Sequence, residues 1–491
     1  MKKYFDTSGG YVADDIYLPE RQLSFEETIH EATLDILHKT GIKVMNTDAV
    51  ALFHGAGATV ETFENHCIVK MSPYLVEEYL PMAPETVTYH GRVSENDYIA
   101  PNGDTAFTTF GGCVKVIDPH TRKRRFARKD DLEKIIQICD HLDEIRIANR
   151  VVNATDVPIQ AQSVHNMEAI LRNTGKHFVI GADSPASLRA MAELAAESVG
   201  GMENLVNAPI FSVSVCPVSP LVIPNNTASV IIEAANLGIG IVVIPMALSG
   251  GTSAATLAGT LVSHNAEVLS CIVLAQIAKQ GAACTYGSCS TILDLKYGTG
   301  AVGSPEYARL NAAAAKLSQY YSLPSFVGGG CSDSNTPDQQ SAYEFMLSAT
   351  RTSLSGADVV WGCGGIEQGL TIDYAKLIMD AEMVRMILNA SMEIAADEEE
   401  LALDIIHSVG PGGTFLTHQH TLNHMRDQSR NGLFNHRNLE DWLEECAGVS
   451  LLDKAYAKAQ DILEAHQPPE LPIGAQAAME EIVREFERAF S

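Results

Sequence analysis

Along residues 107–361 one unit recurs: a short apolar run ends in Gly or Pro beside a polar residue, and ten or more residues of helical pattern follow. The runs are TAFTTF (105–110), IRIANRVV (145–152), HFVIG (177–181), PIFSVSVC (209–216), GIVVIPMAL (240–248), AACTYGS (282–288), PSFVGG (324–329) and DVVWGCG (358–364). They are rich in β-branched and aromatic residues, five to nine residues long and not strictly alternating, as strands buried on both faces of a parallel sheet are. Helical patterns at 130–142, 160–174, 185–198, 254–279, 305–321 and 338–355 lie between them, two opened by Ser-Pro at Ser184-Pro185 and Ser304-Pro305. Strand and helix in that order predict an α/β fold, a (β/α)8 TIM barrel, whose chemistry sits at the carboxyl ends of its strands.

The chain has 491 residues, more than the roughly 250 of one barrel. The division expected is an α+β extension over 1–100, the barrel over 101–372 and helices over 373–491, including long ones at 374–395 and 397–408. The residues Asp397-Glu398-Glu399-Glu400 suit a helix start. Charge or Gly interrupts the longest apolar stretches short of the ~18 residues of a membrane span. The first twenty residues contain no apolar signal core, and the ten cysteines are mostly isolated among apolar or Gly neighbours. A reduced, cytoplasmic chain with no membrane partner is expected.

The formal charge of −27 argues against nucleic acid, whose phosphates need clustered cations. Acidity otherwise serves solubility, or a field that suits a cationic small molecule. The one dense basic run, RKRRFAR (122–128), is either a solvated hairpin or a docking patch for an acidic partner.

Strand ends supply the candidates for chemistry. Phe110, Tyr286 and Trp361 each end or nearly end a run beside glycine; singly each reads as packing, together as a cage for a quaternary ammonium. The seventh run leads into Gly330, Cys331, Ser332 and Asp333, and the second into Asn153 and Asp156. His264 and Glu267 lie three apart on a helix, where structural hydrogen bonding is the competing reading. No P-loop is present and no G-x-G-x-x-G follows the first strand. Two metal readings stay open: His418, His420 and His424, and a convergence of Cys284, Cys289 and Cys363. Neither has the tight pairing of a firm ligand set, and no metal is expected.

The stretches PVSPL (217–221), MALSGGTSAATLAGTLVSHNAEVLS (246–270), TYGS (285–288), GSPEYARL (303–310), GGGCSDSNTPDQQSAYE (328–344) and GPGGTFLTHQHT (410–421) resemble the trimethylamine methyltransferase superfamily over about residues 110–448. Archaeal trimethylamine members of that family carry pyrrolysine at a strand end; the matching stretch here, 328–333, has only standard residues. The resemblance therefore implies the non-pyrrolysine branch. It implies methyl transfer from glycine betaine, proline betaine, carnitine or butyrobetaine to Co(I) of a partner corrinoid protein. No cofactor is expected on this chain, which has no D-x-H-x-x-G signature. Gly330, Cys331, Ser332 and Asp333 would be catalytic, and Phe110, Tyr286, Trp361, His264 and Glu267 would bind substrate. Donors for the betaine carboxylate would be backbone N–H groups of 328–332, Ser334, His90 or His264. A homo-oligomer is expected. Two other readings compete: a metal-dependent barrel hydrolase, and a quaternary-amine-binding protein without catalysis.

Overall fold

The computed structural model describes residues 23–426 and 432–489; the first twenty residues, where no apolar signal core is expected, lie outside them. Eight parallel strands form one sheet. In chain order they are β1 (Ala106–Thr109), β2 (Ala148–Asn149), β3 (Phe178–Gly181), β4 (Phe211–Val215), β5 (Gly240–Val243), β6 (Cys284–Ser288), β7 (Ser325–Gly328) and β8 (Val359–Cys363). Neighbours in sequence pair in register, as Phe178 with Phe211 and Phe326 with Val359 do. β8 returns to β1 through Val359 and Ala106, and a bridge between Phe107 and Ile145 joins β1 to the second run. The sheet is a closed barrel.

Each strand feeds a helix: α1 (Lys129–His141), α2 (Gln162–Asn173), α3 (Pro185–Val199), α4 (Asn225–Leu237), α5 (Leu257–Ala278), α6 (Pro305–Tyr320), α7 (Gln339–Ser353) and α8 (Tyr374–Ser391). Ser184 and Ser304 cap α3 and α6, each accepting from the third helical N–H, with Pro at the first turn. α8 completes the eighth unit, although the sequence division above places it in the C-terminal helices. α5 is long and apolar enough to span a membrane by composition, a length the interrupted runs do not suggest, but 78 % of its most apolar window is buried within the protein. The N-terminal helix Phe25–Lys39 covers it, and Asn265 of α5 donates to Thr33 Oγ1 at 3.0 Å.

The hairpin of strands Val87–Tyr89 and Tyr98–Ala100 plugs the amino-terminal end of the barrel. Tyr89 Oη meets Thr285 Oγ1 at 2.8 Å and Tyr98 Oη donates to the Asp358 carbonyl at 3.0 Å. The carboxyl end is thus the end left for a ligand. The basic run forms the second strand, Arg124–Phe126, of a hairpin with Lys115–Ile117. Much of its charge turns inward: Arg125 forks onto buried Asp131, Arg124 meets Glu367, and Arg122 lies 3.2 Å over the Tyr456 ring. The expected helix at 397–408 is broken in two, Glu398–Leu401 and Leu403–Val409, by Ala402 in the left-handed region. Neither piece has a buried residue, so no packed face holds them in line.

Candidate active site

The carboxyl ends of the strands enclose a cavity of about 490 Å³. Phe326, Trp361 and Phe110, from β7, β8 and the end of β1, make an aromatic arc. Trp361 is held by its indole N–H, which donates to the Ser288 carbonyl at 3.1 Å, and Phe110 meets it edge-on with ring centroids 5.3 Å apart. Ile244, Met246 and Leu248 of the β5 end supply aliphatic wall. Asn149 and Arg150, at the end of β2, face Gly181 and Ser214 of β3 and β4. No carboxylate or imidazole is among the lining residues; Arg150 is the fully charged one.

The apolar run puts the end of the second strand at Val152 and its candidates at Asn153 and Asp156, which passes over Arg150. The strand stops at Asn149. A signal was present: an arginine inside an otherwise apolar run at a barrel-strand end is costly unless it faces a polar ligand or partner. Among the described residues its side chain has no ion pair or hydrogen-bond partner, and its Nε is sealed from solvent. Burial lowers its pKa, opposed by the carboxylate of Asp183, which lies beyond ion-pair distance.

Of the three expected cage residues, Phe110 and Trp361 come together and Tyr286 does not. On β6, Thr285 points inward to the Tyr89 plug, so alternation turns Tyr286 outward into the helix layer. There its hydroxyl donates to Asn265 Oδ1 at 2.9 Å. His264 lies beside it, also outside the cavity, with Nδ1 3.0 Å from Ser290 Oγ; burial lowers its pKa to about 3, so it is neutral. His90, another candidate donor, binds Asp97 in the hairpin at the opposite end of the barrel.

Glu267 acts one step back from the ligand. Its carboxyl accepts from Ser219 Oγ at 2.7 Å and from Leu221 N at 2.9 Å. Ser219 lines the cavity, and Leu221 is a left-handed non-glycine residue at φ 58°. The clamp fixes the β4 loop that forms one wall. Burial pushes the Glu267 pKa up to about 7, against the pull of these two hydrogen bonds. A carboxyl with a raised folded pKa binds a proton the unfolded chain releases, so its stabilising contribution is full below the unfolded value and fades as pH rises toward 7. The stability of the protein minus that of Glu267→Gln should therefore fall by about 3 kcal/mol between pH 4.5 and 7.5 in chemical denaturation. A difference flat with pH would place the titration elsewhere.

Gly330, Cys331, Ser332 and Asp333 stand behind the wall rather than in it, for none lines the cavity. Cys331 is fully buried and takes the Tyr307 hydroxyl at 3.3 Å; burial pushes its thiol up to about 12, so it is not a thiolate nucleophile near neutral pH. Ser332 Oγ donates to Glu344 at 2.7 Å, and Asp333 accepts from Val302 N at 2.9 Å. Asp338 caps α7, and Ser334 donates to it at 2.8 Å. The loop after β8 straps onto this stretch, with Gln368 donating to the carbonyls of Ser332 and Asp333. Among the described residues no three His, Cys, Asp or Glu side chains converge to hold a metal; the rings of His420 and His424 meet at a tilt of 35° in the helix Gln419–His424, which has no buried residue.

Comparison with known proteins agrees with this architecture. The crystal structure of the monomethylamine methyltransferase of Methanosarcina barkeri superposes with a TM-score of 0.53 at 14 % identity, over 89 % of this chain and 86 % of that one. A trimethylamine methyltransferase of Desulfitobacterium hafniense (strain DSM 10664 / DCB-2) is 42 % identical over 460 residues, 94 % of this chain and 92 % of its own. A glycine betaine methyltransferase of D. hafniense (strain Y51) is 30 % identical over 448 residues, covering 91 % and 92 %. The family model for trimethylamine methyltransferase (MTTB) matches residues 19–490. A barrel whose strand ends hold an aromatic cavity, aligned with methyltransferases along nearly its whole length, makes this chain a methyltransferase belonging to the trimethylamine methyltransferase family.

Proposed function

We propose that the protein transfers a methyl group from a betaine-type quaternary amine, such as glycine betaine, proline betaine, carnitine or butyrobetaine, to Co(I) of a partner corrinoid protein. The observation that carries this reading is the aromatic arc and aliphatic wall of a cavity whose lining holds no carboxyl or imidazole. In the transfer the N–CH3 bond breaks with its electron pair staying on nitrogen, and the new bond to carbon takes its pair from Co(I). The amine leaves neutral, so no proton needs delivering. Protonated trimethylamine would find no acid or base here to handle its proton. The positive charge on nitrogen fades in the transition state, so a carboxylate against it would favour the substrate over the transition state. Phe110, Phe326 and Trp361 supply the weaker attraction of ring faces and hold the methyl in line for attack.

Under this reading Phe110 and Trp361 bind the ammonium, Glu267 and the 330–333 stretch position the walls, and the corrinoid belongs to the partner. Cytoplasmic location and a homo-oligomer belong to the same proposal. The relative named for glycine betaine supports the substrate class; the 42 % relative named for trimethylamine makes trimethylamine the competitor. The deciding assay incubates the protein with its reduced corrinoid partner and each amine and follows methyl-Co(III) spectroscopically. Methylation from a betaine and none from trimethylamine is expected. Turnover of trimethylamine alone would overturn the proposal.

A further inference from the structure

The aromatic arc covers only part of the cavity; the ends of β2, β3 and β4 form the other part, and Arg150 is there. Its Nη2 lies against Gly112, where an added Cβ would stand 3.0 Å away at a backbone φ of +90°. Its Nη1 lies against Gly181, where an added Cβ would stand 3.6 Å from both Nη1 and Ser214 Oγ. Gly112, in the loop after β1, and Gly181, at the end of β3, therefore leave room for the fork, and Gly181 does so on the side that lines the cavity. Its Nε has no partner among the described residues. A guanidinium is a planar double donor matched to a carboxylate, and one partly buried with no ion-pair partner leaves its donors to be met by a ligand. The cavity thus has a cationic pole facing β3 and β4 and an aromatic arc on β7, β8 and β1.

We propose that Arg150 is the anion anchor of the site, binding the carboxylate of a zwitterionic quaternary amine whose ammonium lies on Phe110 and Trp361. This rests on the reading of the site as one for quaternary amines and adds that a negative group at the far end of the substrate determines specificity. A donor that is only cationic would be repelled by Arg150 and would leave it unpaired. Gly112 is part of the anchor, because a side chain there would crowd the fork, whereas a Cβ at Gly181 would only come into contact with it.

The test compares the full chain with Arg150→Gln and Arg150→Lys. Calorimetry measures binding of glycine betaine and butyrobetaine against choline and tetramethylammonium, and methyl-Co(III) formation with the partner measures turnover. Arg150→Gln should weaken binding of the carboxylated amines by about 100-fold and change that of the two carboxylate-free cations by less than about 3-fold, with Arg150→Lys in between. Equal losses for both groups of donor, in whichever variant folds, would make Arg150 a structural residue and overturn the anchor. So would a wild-type preference for choline or tetramethylammonium. Arg150-dependent binding of carboxylated amines without methyl transfer would sink the proposed reaction and leave the anchor standing. Methyl transfer from quaternary amines without dependence on Arg150 would do the reverse, and no binding of any amine would sink both.

Discussion

Replacement of Gly369 by alanine is expected to cost about 3–5 kcal/mol and to lower kcat/KM by about 100-fold, since it combines backbone strain with overpacking against the site. Gly369 sits at φ +84°, and a Cβ there would lie 2.0 Å from Cζ of Phe110. No rotation of the new methyl relieves that overlap, so the ring must leave its place edge-on to Trp361 or the turn must open. The turn is tied down: Glu367 N donates to Ser334 O at 2.8 Å and Gln368 N to Ser332 O at 3.1 Å. Phe110 is therefore the element expected to move, and the ammonium wall goes with it. In a Phe110→Ala background the clash disappears and only the left-handed penalty of about 1–2 kcal/mol should remain. Denaturation of the two single variants and the double variant gives the coupling; strictly additive losses would show that Gly369 and Phe110 act apart.

The barrel is legible in the sequence because each strand lies buried on both faces and prints as a contiguous apolar run, while Ser-Pro and Asp caps mark where helices begin. The aromatic wall is half legible. Phe110, Tyr286 and Trp361 occupy similar places at strand ends, but whether a ring faces the cavity or the helices depends on the parity of its strand, and β8 shifts register between Trp361 and Cys363. One-residue offsets of that kind leave no mark in composition. Arg150 shows the same limit from the other side: Val151 and Val152 continue the apolar run past the end of β2, both buried at 0 % exposure, with only an isolated bridge from Val152 to Cys113 beyond it. Glu267 stands out in the sequence by its spacing from His264, yet it works with the β4 loop 46 residues earlier in the chain, a contact made only once the barrel closes.

Lys376→Met should destabilise the protein by about 3–5 kcal/mol, because it leaves a buried carboxylate without its partner. Lys376 and Asp380 form an ion pair one turn apart on α8, both side chains at 0 % exposure. Asp380 also accepts from Gly364 N at 2.7 Å, just past the end of β8, and the Lys376 ammonium lies 4.7 Å over the Phe345 ring. The pair thus seats the segment that carries Trp361. Burial raises the Asp380 pKa to about 6 even with the lysine's opposing pull. Without that pull it rises further, and the variant escapes the lone charge by taking up a proton. The native variant then binds a proton the unfolded chain lacks, so its stability falls as pH rises. The loss relative to the parent should be smaller at pH 5 than at pH 8. Lys376→Met with Asp380→Asn removes the charge and keeps an acceptor for Gly364, and should recover part of the loss at pH 8. If the double variant is no better than the single one, and the loss is the same at both pH values, the cost lies in the packing of the lysine stem rather than in an uncompensated charge.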